Sequence, residues 1–434
     1  MFIFRCGSSS CPLLLSFLFV VVLSVVPVRS QPEPQKEGKL LFAQALYRHG
    51  DRTPLEPYPN DPWKDPSHWT TEWGQLTNTG KQRHLELGRW LRNRYRELLS
   101  ATYSKDDIYV RSTDIDRTIM SAQANLAGLY PPVGADVWDS TIQWQPIPVH
   151  TVPVELDTLL QTSKFCPAFE QVLKQHERSV EFQAYNQSLE SLYRYLTTHT
   201  GSIVNSPTSI QSLHSNLHIE ELHNFTLPEW TWKVYPQPLW EISARAYAME
   251  TNTTPLARFK VGPLIKELLT RFEKKLHKKL TPNRSLWVYS VHDITIVNLL
   301  NGLRLFDLHN PPFAACLMLE LRQPSSGKPY ISIYYKNTTA EPEALEIPNC
   351  GTRCPLHRMF KVYEDVIPGD WDRECQVSLS NAESNVNETF GNMVYIVAIS
   401  SITIIVVMLL VLVVYWKQVS GYHNDRWYLC IDGS

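Results

Sequence analysis

Three turns in this chain gather charge where an apolar run ends. "LLFAQALYRHGDRTP" (Leu40–Pro54) closes on Arg48, His49, Asp51 and Arg52. "DIYVRSTDIDRT" (Asp107–Thr118) closes on Arg111, Asp114, Asp116 and Arg117, and "SLWVYSVHDIT" (Ser285–Thr295) on His292 and Asp293. Guanidiniums beside imidazoles suit a phosphate dianion, because arginine's planar fork donates to two oxygens at once. In such a pocket a neutral ring nitrogen of His49 can attack phosphorus and form a phosphohistidine. Arg48, Arg52 and Arg117 would hold the transferring group, and their charge would depress the His49 pKa, keeping the ring neutral in acid. Asp293 can protonate the leaving alcohol and then activate water, a role that suits a carboxyl with a raised pKa. Gly50 is expected to let the backbone turn tightly beside the ligand. Nothing in this chemistry requires a metal or other cofactor.

For the turns to meet, the runs before them must be neighbouring strands whose carboxyl ends open on one edge of a sheet. "LLFAQALY" and "SLWVYS" read as buried strands, as does the shorter "DIYV"; "CLMLELR" and "YISIYYK" are two more. Between them Thr77–Ser100 carries Leu85, Trp90, Leu91, Tyr95 and Leu98 at helical spacing. Thr113 or Asp114 is placed to cap a helix running to about Tyr130, stopped by Pro131 and Pro132, and "ITIVNLLNGL" forms another helix. The fold class is therefore α/β, a large domain with helices on both faces of a central sheet. Residues 31–154 and 259–380 make that domain, and the helical, histidine-rich stretch 155–258 is a smaller, mainly α cap inserted into it.

Composition narrows the setting. The chain has 434 residues and a formal net charge of −2, with no bias toward nucleic acid or an anionic membrane. Residues 1–30 put Arg5 ahead of an apolar stretch and small residues near Ser30, the pattern of a secretory signal peptide. Met393–Tyr415 is long and apolar enough for a single transmembrane helix, its hydroxyls able to bond back to helix carbonyls. Residues 381–392 then form a juxtamembrane linker and 416–434 a cytosolic tail, giving a single-pass type I protein with its bulk luminal or extracellular. Sequons begin at Asn186, Asn224, Asn252, Asn283, Asn337 and Asn387, all before the span. In the tail, Tyr428 and Ile431 of "YLCI" match a tyrosine-based signal read by sorting adaptors, pointing to a lysosomal or endosomal membrane or the cell surface. Cys6 and Cys11 leave with the signal peptide and Cys430 faces the cytosol. Five of the eight cysteines remain in an oxidising lumen, an odd number that leaves one thiol free or paired between chains.

"RHGDRTP", "YVRSTDIDRTIMSAQANL", "WQPIPVHTVP", "HNFTLP" and "VYSVHD" resemble the histidine acid phosphatases, branch 2 of the histidine phosphatase superfamily, in their lysosomal and prostatic group. The similarity runs from about Leu40 to Cys375. It implies His49 as the phosphorylated nucleophile and Asp293 as proton donor, with Arg48, Arg52, Arg117 and His292 binding the phosphate of a small phosphomonoester. It also implies a homodimer, tartrate inhibition, and disulfides Cys166–Cys375 and Cys350–Cys354. Two departures stand out. Val291 and Ile294 flank the acid where the family shows alanine and threonine, adding bulk expected to narrow the leaving-group side. Ile219 stands where the family has a cysteine, and the usual partner of that cysteine corresponds to Cys316, which becomes the odd thiol.

Three other readings compete. "TDIDRT" contains D-x-D-x-T, the motif of metal-dependent aspartyl phosphatases, but three residues separate it from its strand. His214 and His218 stand one helical turn apart, a spacing that can grip zinc, though without an evident third ligand and as exposed cap histidines in the simpler account. Signal, span and sequons would equally fit a non-catalytic, glycosylated receptor or adhesion ectodomain; retention of every chemical group argues against it.

Overall fold

The computed structural model describes residues 37–160, 166–376 and 399–417. Six strands form one mixed sheet in the order β2-β3-β1-β4-β5-β6. They are β1 (Lys39–Arg48), β2 (Ile108–Ser112), β3 (Leu286–Val291), β4 (Cys316–Gln323), β5 (Tyr330–Lys336) and the short β6 (Cys354–Pro355). β3 pairs in parallel with both β1 and β2, while β4 is antiparallel to β1 and the remaining pairs are antiparallel.

Alternation along β1 separates two cores. Phe42 and Leu46 point into one with Leu268, Leu269 and Phe272 of α9 (Gly262–Leu276) and Ile296, Leu299 and Leu300 of α10 (Asp293–Gly302). Ala43, Ala45 and Tyr47 point into the other with Leu87 and Leu91 of α1 (Asn78–Arg94) and Ala122, Leu126 and Leu129 of α2 (Asp116–Leu129). Each large side chain so buried contributes about 1.5–3 kcal/mol. Gln44 is the polar exception in the run; it donates to Leu268 O at 2.8 Å and accepts from Arg271 at 2.6 Å, so it leaves no buried amide unpaired. The expected helix at Thr77–Ser100 ends earlier, at Arg94, and its inward stripe includes Leu87 rather than Leu85, which is half-buried.

Between α2 and α9 the chain is helical: α3 (Pro167–Glu177), α4 (Val180–Ser188), α5 (Glu190–Thr200), α6 (Pro207–Leu222), α7 (Leu239–Ala248) and α8 (Thr254–Lys260). α5, α6 and α7 share a satellite core containing Leu196, Ile210, Leu213, Leu217, Leu239 and Ile242. Tyr58 of the β1–α1 loop enters the same cluster. That loop is closed at its base by the Arg52–Leu76 bridge and by Thr77 N–H donating to Asp51 O at 2.9 Å, so its tip reaches the helical segment as a pinned excursion. α11 (Leu356–Val362) and the short α12 (Trp371–Glu374) complete the order.

Cys166 and Cys375 are joined across a sequence separation of 209, and Cys350–Cys354 closes a turn of 4. Cys316 is a buried free thiol, and Ile219 is buried with Trp69 and Phe313. One further helix, Ile399–Lys417, has a mean hydropathy of 2.7, long and apolar enough to cross a membrane. Within it Thr403 donates to Ile399 O at 2.8 Å, disposing of the hydroxyl. The expected signal peptide at 1–30, Asn387, the expected linker at 381–392, the first residues of the expected span, and Tyr428 and Ile431 lie outside the described residues.

Candidate active site

β2, β3 and β1 are adjacent and parallel, so their carboxyl ends open together and the three charged turns leave from one edge. The turns are stitched to each other: His49 N–H donates to Val291 O at 3.0 Å and Thr113 N–H to Ser290 O at 3.1 Å. At this edge six of the ten pooled residues converge. The His49 ring is buried, and its Nδ1 lies 2.9 Å from Gly50 O. A carbonyl can only accept, so Nδ1 carries the proton and Nε2 keeps a free lone pair. His292 stands edge-on to it, ring centroids 5.6 Å apart, with Thr113 Oγ1 3.1 Å from its Nε2 and Arg117 Nη2 3.5 Å from its Nδ1. Arg48 lies over the Phe313 ring at 4.1 Å, donates to Pro311 O, and places Nη2 2.8 Å from Asp293 Oδ2. Arg52 donates to Thr53 O at 3.0 Å and to Ser215 Oγ at 3.4 Å. The Nε–H groups of Arg48, Arg52 and Arg117 are buried without a protein acceptor. Desolvated donors of that kind favour an anion.

The field follows from this crowding. Burial, then Arg48, His292, Arg117 and Arg52, hold His49 well below the ordinary imidazole value. Burial and Arg117 bring His292 down to about 4. Burial and Arg48 lower Arg52 to about 10, and burial also lowers Arg117. For Asp293, burial alone would raise the pKa, but Arg48, Arg52 and His292 together overcome it and hold the carboxyl at about 2. The expected raised pKa is thus reversed, because a guanidinium in contact, with Arg52 and His292 beside it, outweighs desolvation.

The profile of the histidine phosphatase superfamily (branch 2) matches residues 39–336. The chain belongs to that superfamily. It is 35% identical over 421 residues to the lysosomal acid phosphatase of Rattus norvegicus, spanning 95% of each chain. It is 38% identical over 365 residues to the prostatic acid phosphatase of Bos taurus, spanning 82% of this chain and 92% of that one. Hafnia alvei phytase in complex with tartrate shares the fold, with a TM-score of 0.60 at 17% identity over 79% of this chain and 99% of that one. As a member of the superfamily with relatives at such coverage, the chain is a phosphoric monoester hydrolase of the acid phosphatase group.

Within this histidine phosphatase site, several sequence expectations change. Asp51 turns away and binds Arg83 through both oxygens, at 2.6 and 3.0 Å. Arg111 pairs with Asp157 at 2.6 Å. Asp114 and Asp116 are exposed, so the D-x-D-x-T aspartates do not enter the pocket. Thr113 and Asp114 cap nothing: α2 starts at Asp116 without a side-chain cap, and Thr113 serves His292 and Thr118 instead. Gly50 does not adopt a left-handed conformation; it is small because a Cβ there would lie 2.4 Å from Gly80 O on α1. Val291 is buried in the core with α9 and α10, whereas Ile294 does line a cleft. His214 is buried and stacks on His218, centroids 6.1 Å apart, contrary to the exposed pair expected, and no third His, Cys, Asp or Glu joins them in a metal-holding group among the described residues.

Two arms lead out from the acid. One, about 860 Å³, runs between the β1–α1 loop and α6 past Arg52, Tyr58, Lys64 and Ser215. The other, about 600 Å³, is lined by Phe169, Glu170, Glu250, Lys260 and Ile294. Sequence reasoning missed Tyr247, whose hydroxyl donates to Asp293 Oδ2 at 3.0 Å. No local pattern in α7 marks it; the contact exists only because α7 packs on α10.

Proposed function

We propose that this chain hydrolyses small phosphomonoesters at acid pH through a phosphohistidine on His49, with Asp293 as proton donor. The observation that carries the reading is the His49 ring, with Nδ1 tied to Gly50 O and Nε2 unoccupied among Arg48, Arg52, Arg117 and His292. Nε2 attacks phosphorus as the ester P–O bond breaks, the arginines take up equatorial charge, and the Asp293 proton moves to the leaving oxygen. Water then gives a proton to Asp293 and its oxygen to phosphorus; the P–N bond breaks and phosphate departs. A phosphomonoester loses its second proton near pH 6. In acid the substrate therefore arrives as a monoanion, its charge weakens the arginine field on Asp293, and its proton can load the carboxylate. The depressed His49 pKa keeps the nucleophile neutral under the same conditions. The test is a rapid quench into alkaline denaturant, which preserves phosphohistidine, with labelled substrate. Label on wild type and none on His49→Ala is expected; label persisting in the variant, or activity lost on chelation of divalent metal, overturns the reading.

The setting we infer is a type I membrane protein of the lysosomal or endosomal system, or of the cell surface, with the enzyme on the luminal side. The apolar helix Ile399–Lys417 and the lysosomal relatives support it. Asn224, Asn252 and Asn283 are exposed and open to glycan, while Asn186 and Asn337 are half-buried. The tail pair Tyr428 and Ile431 would engage cytosolic adaptors, and a homodimer would follow the family. Protease added to sealed organelles from broken cells should digest the tail and spare the enzyme, which checks the orientation.

A further inference from the structure

Asp293 is held by three donors from three directions. Ile294 N–H reaches Oδ1 at 2.8 Å, and Arg48 Nη2 and the Tyr247 hydroxyl both reach Oδ2, at 2.8 and 3.0 Å. These donors differ in what happens when substrate binds. Arg48 faces His49 and is drawn toward phosphate oxygens, and Ile294 N–H is fixed by the first turn of α10. Tyr247 is neutral, 8% exposed, and comes from α7 in the helical segment, meeting the same carboxylate oxygen as Arg48. The side chain of Gln211 on α6 hydrogen-bonds the same hydroxyl, whose proton is given to Asp293. Of the residues lining the two arms, three are common to both: Gln211, Tyr247 and Asp293. The leaving oxygen must pass this junction whichever arm takes the alcohol.

We propose that Tyr247 is a positioning residue for the acid: it fixes the Oδ2 edge of Asp293 toward the junction and holds its proton affinity low enough to release a proton to a poor leaving group. Once phosphate draws Arg48 off, each oxygen keeps one of these donors, Ile294 N–H on Oδ1 and the Tyr247 hydroxyl on Oδ2, and Oδ2 is the oxygen that faces the junction and carries the transferable proton. Tyr247 keeps its own proton through the cycle; burial and the adjacent carboxylate raise its pKa. It touches neither phosphorus nor nucleophile, so it acts through Asp293 alone. Gln211 ties this arrangement to α6, so the helical segment that shapes the alcohol cleft also orients the acid.

The inference rests on the phosphohistidine reading, and its consequences separate from it. Tyr247→Phe keeps the ring and removes the donor. Across a series of aryl and alkyl phosphates, kcat/KM of this variant should fall less than about 3-fold with nitrophenyl phosphate, whose leaving group needs little protonation. It should fall 10- to 100-fold with glycerol phosphate, whose alkoxide does. Loss of a donor to the carboxylate raises the Asp293 pKa, so the alkaline limb of the glycerol phosphate profile should move to higher pH. In an Asp293→Asn background the same substitution should add less than about 2-fold with either substrate. An equal loss with both substrates, or a full additional loss in the Asp293→Asn background, overturns the proposal and leaves Tyr247 as packing alone. Neither result touches His49, whose alanine variant must fail with every substrate if the parent reading holds. Tyr247→Trp, which fills the space without restoring the donor geometry, guards against a loss due only to a void: it should follow Tyr247→Phe in leaving-group dependence, and a uniform loss in both overturns the proposal.

Discussion

At the scale of the residue, the site separates groups that bind from groups that move protons. Arg48, Arg52 and Arg117 bring three guanidiniums around His49, so an entering phosphate meets charge-assisted donors. Asp293 has two tasks, leaving-group acid and base for water. Asp293→Asn should therefore reduce turnover of alkyl phosphates by about 10²–10⁴. With an activated aryl phosphate it should still phosphorylate His49 and then stall, so a burst of phenol followed by slow turnover is the expected trace. A uniform loss without a burst would mean that the carboxylate only orients Arg48. Asp51 and Arg111 show why charge near a motif does not assign a role. Each finds an opposite charge close by, Arg83 or Asp157, and leaves the pocket.

At the scale of the element, the contact between α6 and the β1–α1 loop buries acid without partners. Glu220 is fully buried with neither oxygen hydrogen-bonded, and Asp61 Oδ2 and the Tyr58 hydroxyl are buried nearby in the same condition. Burial, then Asp61, raise Glu220 to about 8, while the unfolded chain holds it near 4.5. The folded state binds the extra proton, so the contribution of this group to stability is greatest below about pH 4.5 and falls as pH rises toward 8. Glu220→Gln should stabilise the protein by about 1–3 kcal/mol at neutral pH. The gain should shrink in acid, as read by denaturant melts at both pH values. A gain independent of pH would place the cost in packing rather than ionisation.

At the scale of the whole molecule, the Cys166–Cys375 bond ties the start of the helical segment to the end of the described globular chain, across a separation of 209 that takes in α3 to α8 and four of the six strands. Cys375→Ser should lower stability by about 2–5 kcal/mol. Activity at low temperature should survive, because neither cysteine lies in the pocket; activity lost while the fold persists would show that the bond shapes the site. By contrast, Cys316 sits at the start of β4 opposite Tyr47, inside the α1–α2 core, and its thiol is buried. It behaves as a small apolar side chain there.

The strands, the charged turns and the apolar C-terminal helix were legible in the sequence because each is written locally, as an apolar run, a turn or a length. The short apolar runs "LLFAQALY" and "SLWVYS" marked buried strands whose ends carry His49 and Asp293, and the sheet pairs them in parallel. The resemblance named the six converging side chains. What only the tertiary structure decided is who partners whom. Tyr247 reaching Asp293, Thr113 leaving its cap for His292, Gly50 set against Gly80 and the depressed Asp293 pKa all arise between elements far apart in the chain. Hydrogen bonds and electrostatic fields depend on distance in space, and sequence order records distance only within a few residues.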